Sequence, residues 1–264
     1  MNTVAASMVL LLVFEARIAA RPQSDSAPGK DNLIEQARQH ARAFRSELPD
    51  FVVNQRISRH QQTSRDPGKW IADKTLDTEL SYDMKKGEQI KLLKVDGAPT
   101  TESYLGLPGG LTSAGEFGAM LGIILGPQSD ATFKGGKHSA IRGEDAVIYD
   151  FKVKKVKRNL VLAGLSREPQ VVNYRGCIWI GAEAKRVLRI ELSLDGAALG
   201  SQISQEDRTV DYDWVTIEGQ KYLLPVRAVV LLGIAYKVYL RNVIEYVNYH
   251  KWEGKIKLVD PASN

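Results

Sequence analysis

The sequence predicts a mainly β protein in which antiparallel strands form a sheet that packs against two helices. Three observations predict this class. Apolar and polar residues alternate with a period of two from Phe51 onward, as they do in strands with one buried face. Pairs such as Asp96-Gly97 supply hairpin turns between these segments. Only one helix-length segment interrupts the strand series, so antiparallel pairing is favoured over alternating strands and crossover helices.

The composition is that of a globular protein with a large core. The chain has 264 residues, of which 44% are hydrophobic and 25% are charged, and this excludes a disordered, collagen-like or disulfide-rich class. The single cysteine, Cys177, lies in an apolar strand segment and is interpreted as a small buried hydrophobe. The net charge of +5 comes from 36 basic and 31 acidic residues. These mixed charges do not form the basic stripe that is typical of nucleic-acid binding, so no nucleic-acid partner is expected. Mild attraction to anionic lipid headgroups explains the net positive charge equally well.

The first thirty residues are expected to lie outside the folded domain. Residues 4–14 form an apolar run, which the small residues Ala19 and Ala20 follow. This pattern predicts a signal peptide over residues 1–20, a flexible linker over 21–30 and a single domain over 31–264. The alternative is a buried N-terminal helix. The run is too short to span a bilayer, so no integral membrane segment is expected after cleavage. We therefore expect a periplasmic or extracellular protein.

Two helices are predicted. Residues 32–45 carry apolar side chains at helical spacing, with Asp31 as the capping residue. Residues 113–125 form the second helix, with Thr112 or Ser113 as its cap and Glu116 at capping-box distance from Ser113. The side chains of this second helix are apolar on nearly all sides, so other parts of the protein must cover it. It is either a packed part of the core or a lid over an apolar cavity.

The remaining elements are strands. After the strand that begins at Phe51, strand-length segments occupy residues 75–84, 89–95, 146–155, 159–165, 177–181, 187–194, 209–217, 221–230, 235–247 and 255–259. Between residues 151 and 158, basic side chains alternate with apolar ones. This run is interpreted as a strand with a wet, charged outer face. A docking surface for anionic lipid or for a protein partner is the alternative.

No catalytic or metal-binding template fits the sequence. One cysteine and four scattered histidines do not form a zinc site, and the spacings typical of serine hydrolases, phosphate loops and dinucleotide-binding loops do not occur. The best residual constellation combines His138 and Ser139 with two nearby carboxylates, Glu144 and Asp145, and is interpreted as surface. The side chains of Asp207, Asp211 and Asp213 are interpreted as outer-face carboxylates rather than a calcium site. We therefore expect no cofactor, no metal and no enzymatic activity.

Several segments together resemble a known family. They read ARAFRSELPDFVVNQRISR, LSYDMKKGEQIKLLKVDGAPT, GGLTSAGEFGAML, YRGCIWIGAEAKRVLRIEL and VDYDWVTIEGQKYLLPVRAVV. In this order they resemble a group of uncharacterised exported proteins that is frequent in acidobacteria, and the pattern is similar to the outer-membrane lipoprotein-sorting (LolA-like) superfamily. The resemblance implies an antiparallel half-open barrel whose concave face is closed by helices and holds acyl chains. It also implies an arginine inside the barrel, but the sequence does not show which arginine that is.

These observations predict an exported, non-catalytic protein that sequesters a lipid or acyl chain in an apolar cavity between a curved sheet and its helices. The candidate ligand-binding residues are Phe117, Met120, Leu121, Ile124 and Trp179. The alternative is a structural or protein-interaction module of the cell envelope, with a filled core, no ligand and an envelope protein as its partner. An unrecognised hydrolase comes third. An apolar void under the second helix favours the lipid-binding prediction, and solid packing there favours the interaction module.

Overall fold

The computed structural model describes residues 8–11, 32–83, 86–113, 115–162, 170–195 and 203–252. The linker, Asp31 and the strand predicted at 255–259 lie outside the described residues. So does the expected signal peptide, except for Met8–Leu11. Within the described part of the chain, no helix is long and apolar enough to cross a membrane.

Most of the described chain is strand, as the sequence predicts. The helices are α1 (Asn32–Glu47) and α2 (Ala119–Leu125), with a single 3₁₀ turn at Tyr104–Gly106. The strands are β1 (Met8–Leu11), β2 (Phe51–Thr63), β3 (Ile71–Asp83), β4 (Gly87–Val95), β5 (Ala98–Pro99), β6 (Leu111–Thr112), β7 (Thr132–Ile141), β8 (Glu144–Leu162), β9 (Gln170–Gly181), β10 (Val187–Leu194), β11 (Ile203–Ile217), β12 (Gln220–Ile234) and β13 (Val238–Lys251).

The strands form one open sheet in the order β5-β4-β3-β2-β13-β12-β11-β10-β9-β8-β1-β6. Strand β8 is 19 residues long, so β7 pairs with its first half and β1 with its last four residues. All of these pairings are antiparallel except the short one between β1 and β6. The predicted fold class, a mainly antiparallel half-open sheet with an N-terminal helix and an inserted helix, is confirmed.

The alternation of apolar and polar residues sets which face of the sheet is buried. In β2, Phe51, Val53 and Ile57 are buried while Arg56 between them is exposed. The same alternation along β9 and β10 buries Ile178 and Ile190. These inward side chains and the apolar faces of α1 and α2 form one cluster. Each fully buried aliphatic side chain stabilises the fold by roughly 1.5–3 kcal/mol, so this shared core holds the helices on the concave face.

Two strand predictions were wrong in detail. Segments 146–155 and 159–165 were predicted as separate strands, but β8 runs without interruption through Leu162. The pairing of β8 with β9 shifts between Val153 and Val156, and Lys155 has a φ of 56°, so the chain absorbs the charged run in a bulge. Strand β7 was not predicted because it contains two adjacent glycines and has few buried side chains. It lies at an edge of the sheet, where backbone pairing with β8 suffices.

The second helix is shorter than predicted. It starts at Ala119 instead of residue 113, and Gly118 precedes it without a side-chain capping bond. The capping-box prediction for Ser113 and Glu116 was therefore wrong. Both side chains bond to distant strands, Ser113 to Asn242 and Glu116 to Arg208. Tertiary polar contacts thus take the groups that would otherwise cap a helix, and residues 115–118 remain irregular.

Candidate functional site

The concave face of the sheet is crossed by the segment from Tyr104 to Gly126, which we call the strap; it contains β6 and α2. The strap places Phe117 at the centre of an aromatic cluster. The ring centroid of Phe117 lies 5.1 Å from that of Phe51, 5.5 Å from that of Phe44 and 5.8 Å from that of Tyr82. These distances are typical of favourable aromatic contacts. The strap therefore joins α1 to the floor of the sheet.

The structure brings four of the five predicted ligand-binding residues together. Phe117, Met120, Leu121 and Ile124 are each exposed by 6% or less and belong to the common core. Trp179 is separate from them. It alternates with the buried Ile178 and Ile180 along β9, so it points to the opposite, convex face, where the guanidinium of Arg189 lies 5.9 Å from its ring centroid.

Buried polar side chains attach the first half of the strap to the sheet. Arg59 on β2 donates to the carbonyl oxygen of Gly109 at 3.1 Å and to the hydroxyl of Thr112 at 3.0 Å. Asn242 on β13 donates to the carbonyl oxygen of Leu111 at 2.8 Å. Burial lowers the pKa of Arg59. These bonds hold irregular backbone whose polar groups would otherwise be costly to bury.

A buried ion cluster attaches the turn before α2. The guanidinium of Arg208 on β11 lies 2.8 Å from the carboxylate of Glu116 on the strap and 3.1 Å from that of Glu206. The hydroxyl of Tyr174 donates to Glu206 at 3.3 Å. Burial, and then the charge of Glu116, raise the pKa of Tyr104 to about 12. One cation thus contacts two buried carboxylates, so removing it would take a close opposite charge from each of them.

Neither arginine was predicted as a site residue, although strand periodicity contains a signal for both. Arg59 has the same parity as Phe51, Val53 and Ile57 in β2, and Arg208 has the same parity as Val210 in β11. Strand periodicity therefore places both on the inward face. Both arginines contact the strap.

An open cleft lies at one end of the concave face, between the C-terminal half of α1 and the β11–β12 hairpin. Its volume is about 430 Å³. The apolar lining comes from α1, the residue that follows it and the hairpin, namely Phe44, Leu48, Trp214, Tyr222 and Leu223. The polar lining consists of Arg186, Gln220 and Lys221. We call this space the mouth cleft. The exposed fraction of Trp214 is 43%, which is high for a tryptophan and marks apolar surface that solvent can reach.

A second, much smaller space adjoins the mouth cleft beneath α1. It measures about 20 Å³, and its lining includes Ala37, Leu121 and Tyr212. Phe44, Arg186 and Leu223 line both spaces. The small space has room for about one water molecule and not for an acyl chain. Of the five predicted ligand-binding residues, Leu121 is therefore the one that connects the packed centre to the open mouth.

The other candidate residues do not assemble a catalytic centre. His138 lies exposed on β7, and Ser139 follows it on the other face of that strand. Asp211 pairs with Arg189 at 2.6 Å, and Asp213 pairs with Arg142 at 3.2 Å. These carboxylates are thus ion-paired, and the described residues contain no group of three or more side chains placed to hold a metal ion.

Cys177 differs from its prediction as a small buried hydrophobe. It is half-buried on the convex face, and its thiol lies 3.2 Å from the carboxylate of Asp150. Burial, and then the bond to Asp150, raise the pKa of the Cys177 thiol to about 11. The thiol therefore stays protonated near neutral pH and is a poor nucleophile.

The fold and the concave site define a class of protein, an open antiparallel sheet with helices packed on its concave face. The chain is similar to a LolA superfamily protein from Nitrosomonas europaea, with 11% identity and a TM-score of 0.39 over 86% of this chain and 96% of that chain. It is also similar to a DUF1329 family protein from Desulfovibrio piger, with 11% identity and a TM-score of 0.40 over 88% and 95%. A third similar structure is an outer membrane lipoprotein-sorting protein domain from Vibrio parahaemolyticus, with 9% identity and a TM-score of 0.34 over 86% and 93%.

No protein-family model and no curated protein matches the sequence.

Proposed function

We propose that this chain is an exported, non-enzymatic protein of the periplasm or extracellular space that binds an acyl chain of a lipid. The observation that carries the proposal is the mouth cleft, a space of about 430 Å³ with both apolar and polar walls that opens to solvent between α1 and the sheet. Its volume lies within the roughly 300–1,000 Å³ typical of small-ligand sites. Five of its eight lining side chains are aromatic or aliphatic, and they supply the apolar surface against which an acyl chain would lie.

The ligand enters at the mouth and extends toward Leu121. The small space beneath α1 adjoins the mouth cleft along Phe44 and Leu223, and Leu121 forms part of its wall. Deeper insertion displaces α2, which is only seven residues long. Burying each methylene group contributes about 0.8 kcal/mol, so a chain of several carbons offsets the loss of some strap contacts. In this proposal, Phe117, Met120, Leu121 and Ile124 meet the acyl chain only when the strap moves.

A second function is favoured by the packing at the centre of the concave face. Phe117 and Ile124 are almost fully buried, and the aromatic cluster joins α1, the strap and the sheet without a ligand. This observation favours a structural or protein-interaction module of the cell envelope with a filled core. In that case Trp214 and its neighbours at the mouth cleft would meet a protein surface instead of a lipid.

Native mass spectrometry and a fluorescent fatty acid distinguish the two functions. Protein extracted gently from its own host is expected to carry lipid, and the delipidated protein is expected to bind the fatty acid with a stoichiometry of one. Trp214→Ala should weaken this binding roughly fivefold, because it removes apolar wall at the cleft. Ile71→Ala removes a half-exposed apolar side chain from the opposite end of the sheet and serves as the matched control. Protein that carries no lipid and ignores the fatty acid would exclude the lipid-binding function.

A further inference from the structure

The mouth cleft combines apolar wall with positive charge at its rim. Arg186 and Lys221 line it beside Trp214 and Tyr222. Lys221 is exposed, and within the described residues it has no ion-pair partner. A cation that stands unpaired beside apolar wall fits a ligand with an anionic end and an apolar end.

Backbone bonds fix the positions of the two residues that carry these cations. Arg186 follows the β9–β10 turn, in which the amide of Gly181 donates to the carbonyl oxygen of Arg186 at 2.9 Å. The amide of Ala182 in the same turn donates to the backbone carbonyl oxygen of Asp145 at 2.8 Å, and this bond attaches the turn to β8. Lys221 lies at the start of β12, paired with Thr216 on β11. Both residues therefore lie at ends of hairpins whose backbone the sheet fixes, so the two cations share one rim of the cleft.

We propose that the mouth cleft selects a single-chain amphiphile with an anionic headgroup, which Arg186 and Lys221 bind while the acyl chain lies against Trp214 and Leu223. This inference rests on the proposed function and adds the charge of the headgroup and the number of chains. The number of chains follows from size. A space of about 430 Å³ beside one of about 20 Å³ lies near the lower end of the range for small-ligand sites and suits one chain better than two or three.

Calorimetric titration of the delipidated protein with three twelve-carbon amphiphiles tests the headgroup. The probes are dodecanoate, dodecanol and dodecyltrimethylammonium, each below the concentration at which it forms micelles. Dodecanoate should bind most tightly and dodecyltrimethylammonium most weakly, and native mass spectrometry should show one dodecanoate per protein. Acetate at millimolar concentration should not displace dodecanoate, because a free anion lacks the apolar chain.

Two variants assign the headgroup contact. Lys221→Gln should raise the Kd for dodecanoate roughly three- to fivefold, and Arg186→Gln with Lys221→Gln should raise it roughly tenfold. The Kd for dodecanol should not change in either variant. Lys91→Gln removes the same charge from β4, away from the cleft, and controls for the change in net charge.

The outcomes separate the two proposals. If none of the three amphiphiles binds, the proposed function itself is wrong. If dodecanoate and dodecanol bind equally well and Lys221→Gln changes neither Kd, the acyl site stands and the headgroup inference is overturned. If acetate displaces dodecanoate, or if two chains bind per protein, the cleft is not a site for a single-chain amphiphile.

Discussion

The centre of the concave face and the mouth cleft differ in how tightly side chains fill them. At the centre, Phe117 packs among aromatic rings, and the ion cluster around Arg208 is almost fully buried. At the mouth cleft, Trp214 is 43% exposed and Lys221 faces solvent. Both regions lie on the same face of the same sheet. They differ because the strap covers one and stops short of the other.

Because of this difference, we expect stability to depend on the centre and ligand binding to depend on the mouth cleft. Side chains at the centre touch protein on all sides, so their loss leaves cavities or unpaired charges. Side chains at the mouth contact solvent in part, so their loss costs little in folding and alters the surface that a ligand meets. Substitutions at the centre should therefore change the free energy of unfolding, and substitutions at the mouth should change ligand affinity.

The largest effect is expected from Arg208→Met, which keeps most of the side-chain volume and removes the charge. Glu116 and Glu206 then lie buried without their cation, so the free energy of unfolding should fall by about 3–5 kcal/mol. Urea denaturation measures this as a lower midpoint. Arg175→Met breaks an exposed pair with Asp195 and should cost less than about 1 kcal/mol. Adding Glu116→Gln to Arg208→Met should recover part of the loss, and no recovery would contradict the role of Glu116.

Phe117→Ala and Trp214→Ala compare the centre with the mouth directly. Phe117 is 1% exposed within the aromatic cluster, so its truncation should cost about 3–5 kcal/mol. Trp214→Ala should cost only about 1 kcal/mol, because much of its ring already contacts water. Thermal and urea unfolding of both variants check this prediction. Equal losses would show that the mouth is packed as tightly as the centre.

Leu121→Ala tests the boundary between the two regions. It should cost about 2–3 kcal/mol of stability and enlarge the small space that adjoins the mouth cleft. A sixteen-carbon fatty acid should then gain severalfold in affinity over a twelve-carbon one. Leu80→Ala removes an equally buried leucine from β3 and is the matched control. The same affinity gain in both variants would refute a continuous path from the mouth to Leu121.

The smallest effect on folding is expected on the convex face, which belongs to neither region. Asp150→Asn should change stability by less than about 0.5 kcal/mol because Asp150 is exposed. It removes one cause of the raised pKa of Cys177, so the thiolate fraction at pH 8 should rise. Alkylation by iodoacetamide should become several times faster. Asp207→Asn leaves the bond between Cys177 and Asp150 intact and should not change the alkylation rate.

Several elements were predictable from sequence because local physics decides them. Strand β10 has the bounds that its alternation predicts, and the turn at Asp96 and Gly97 joins β4 to β5 with positive φ at both residues. Helix α1 extends to Glu47, two residues beyond its prediction. In each case the signal lies within a few neighbouring residues, so long-range contacts need only preserve it.

The candidate site was predictable only in part. An apolar segment that must be covered was evident from Phe117 to Leu125, and four of its predicted ligand-binding residues lie together. Trp179 could not be assigned a face because β9 is apolar at successive positions. The mouth cleft combines side chains from α1, the β9–β10 turn, β11 and β12, and no sequence spacing relates these elements.

Periodicity and turn residues act over short distances, so the sequence alone predicts an antiparallel sheet with an apolar insertion. Long-range contacts make that insertion a strap. Arg59, Arg208 and Asn242 come from three different strands, and they bond to Thr112, Glu116 and Ser113, the side chains that would have capped a longer helix. The tertiary fold also sets where the strap ends, which is before the mouth cleft. The free energy of burying polar groups depends on partners far away in the chain, which local patterns do not contain.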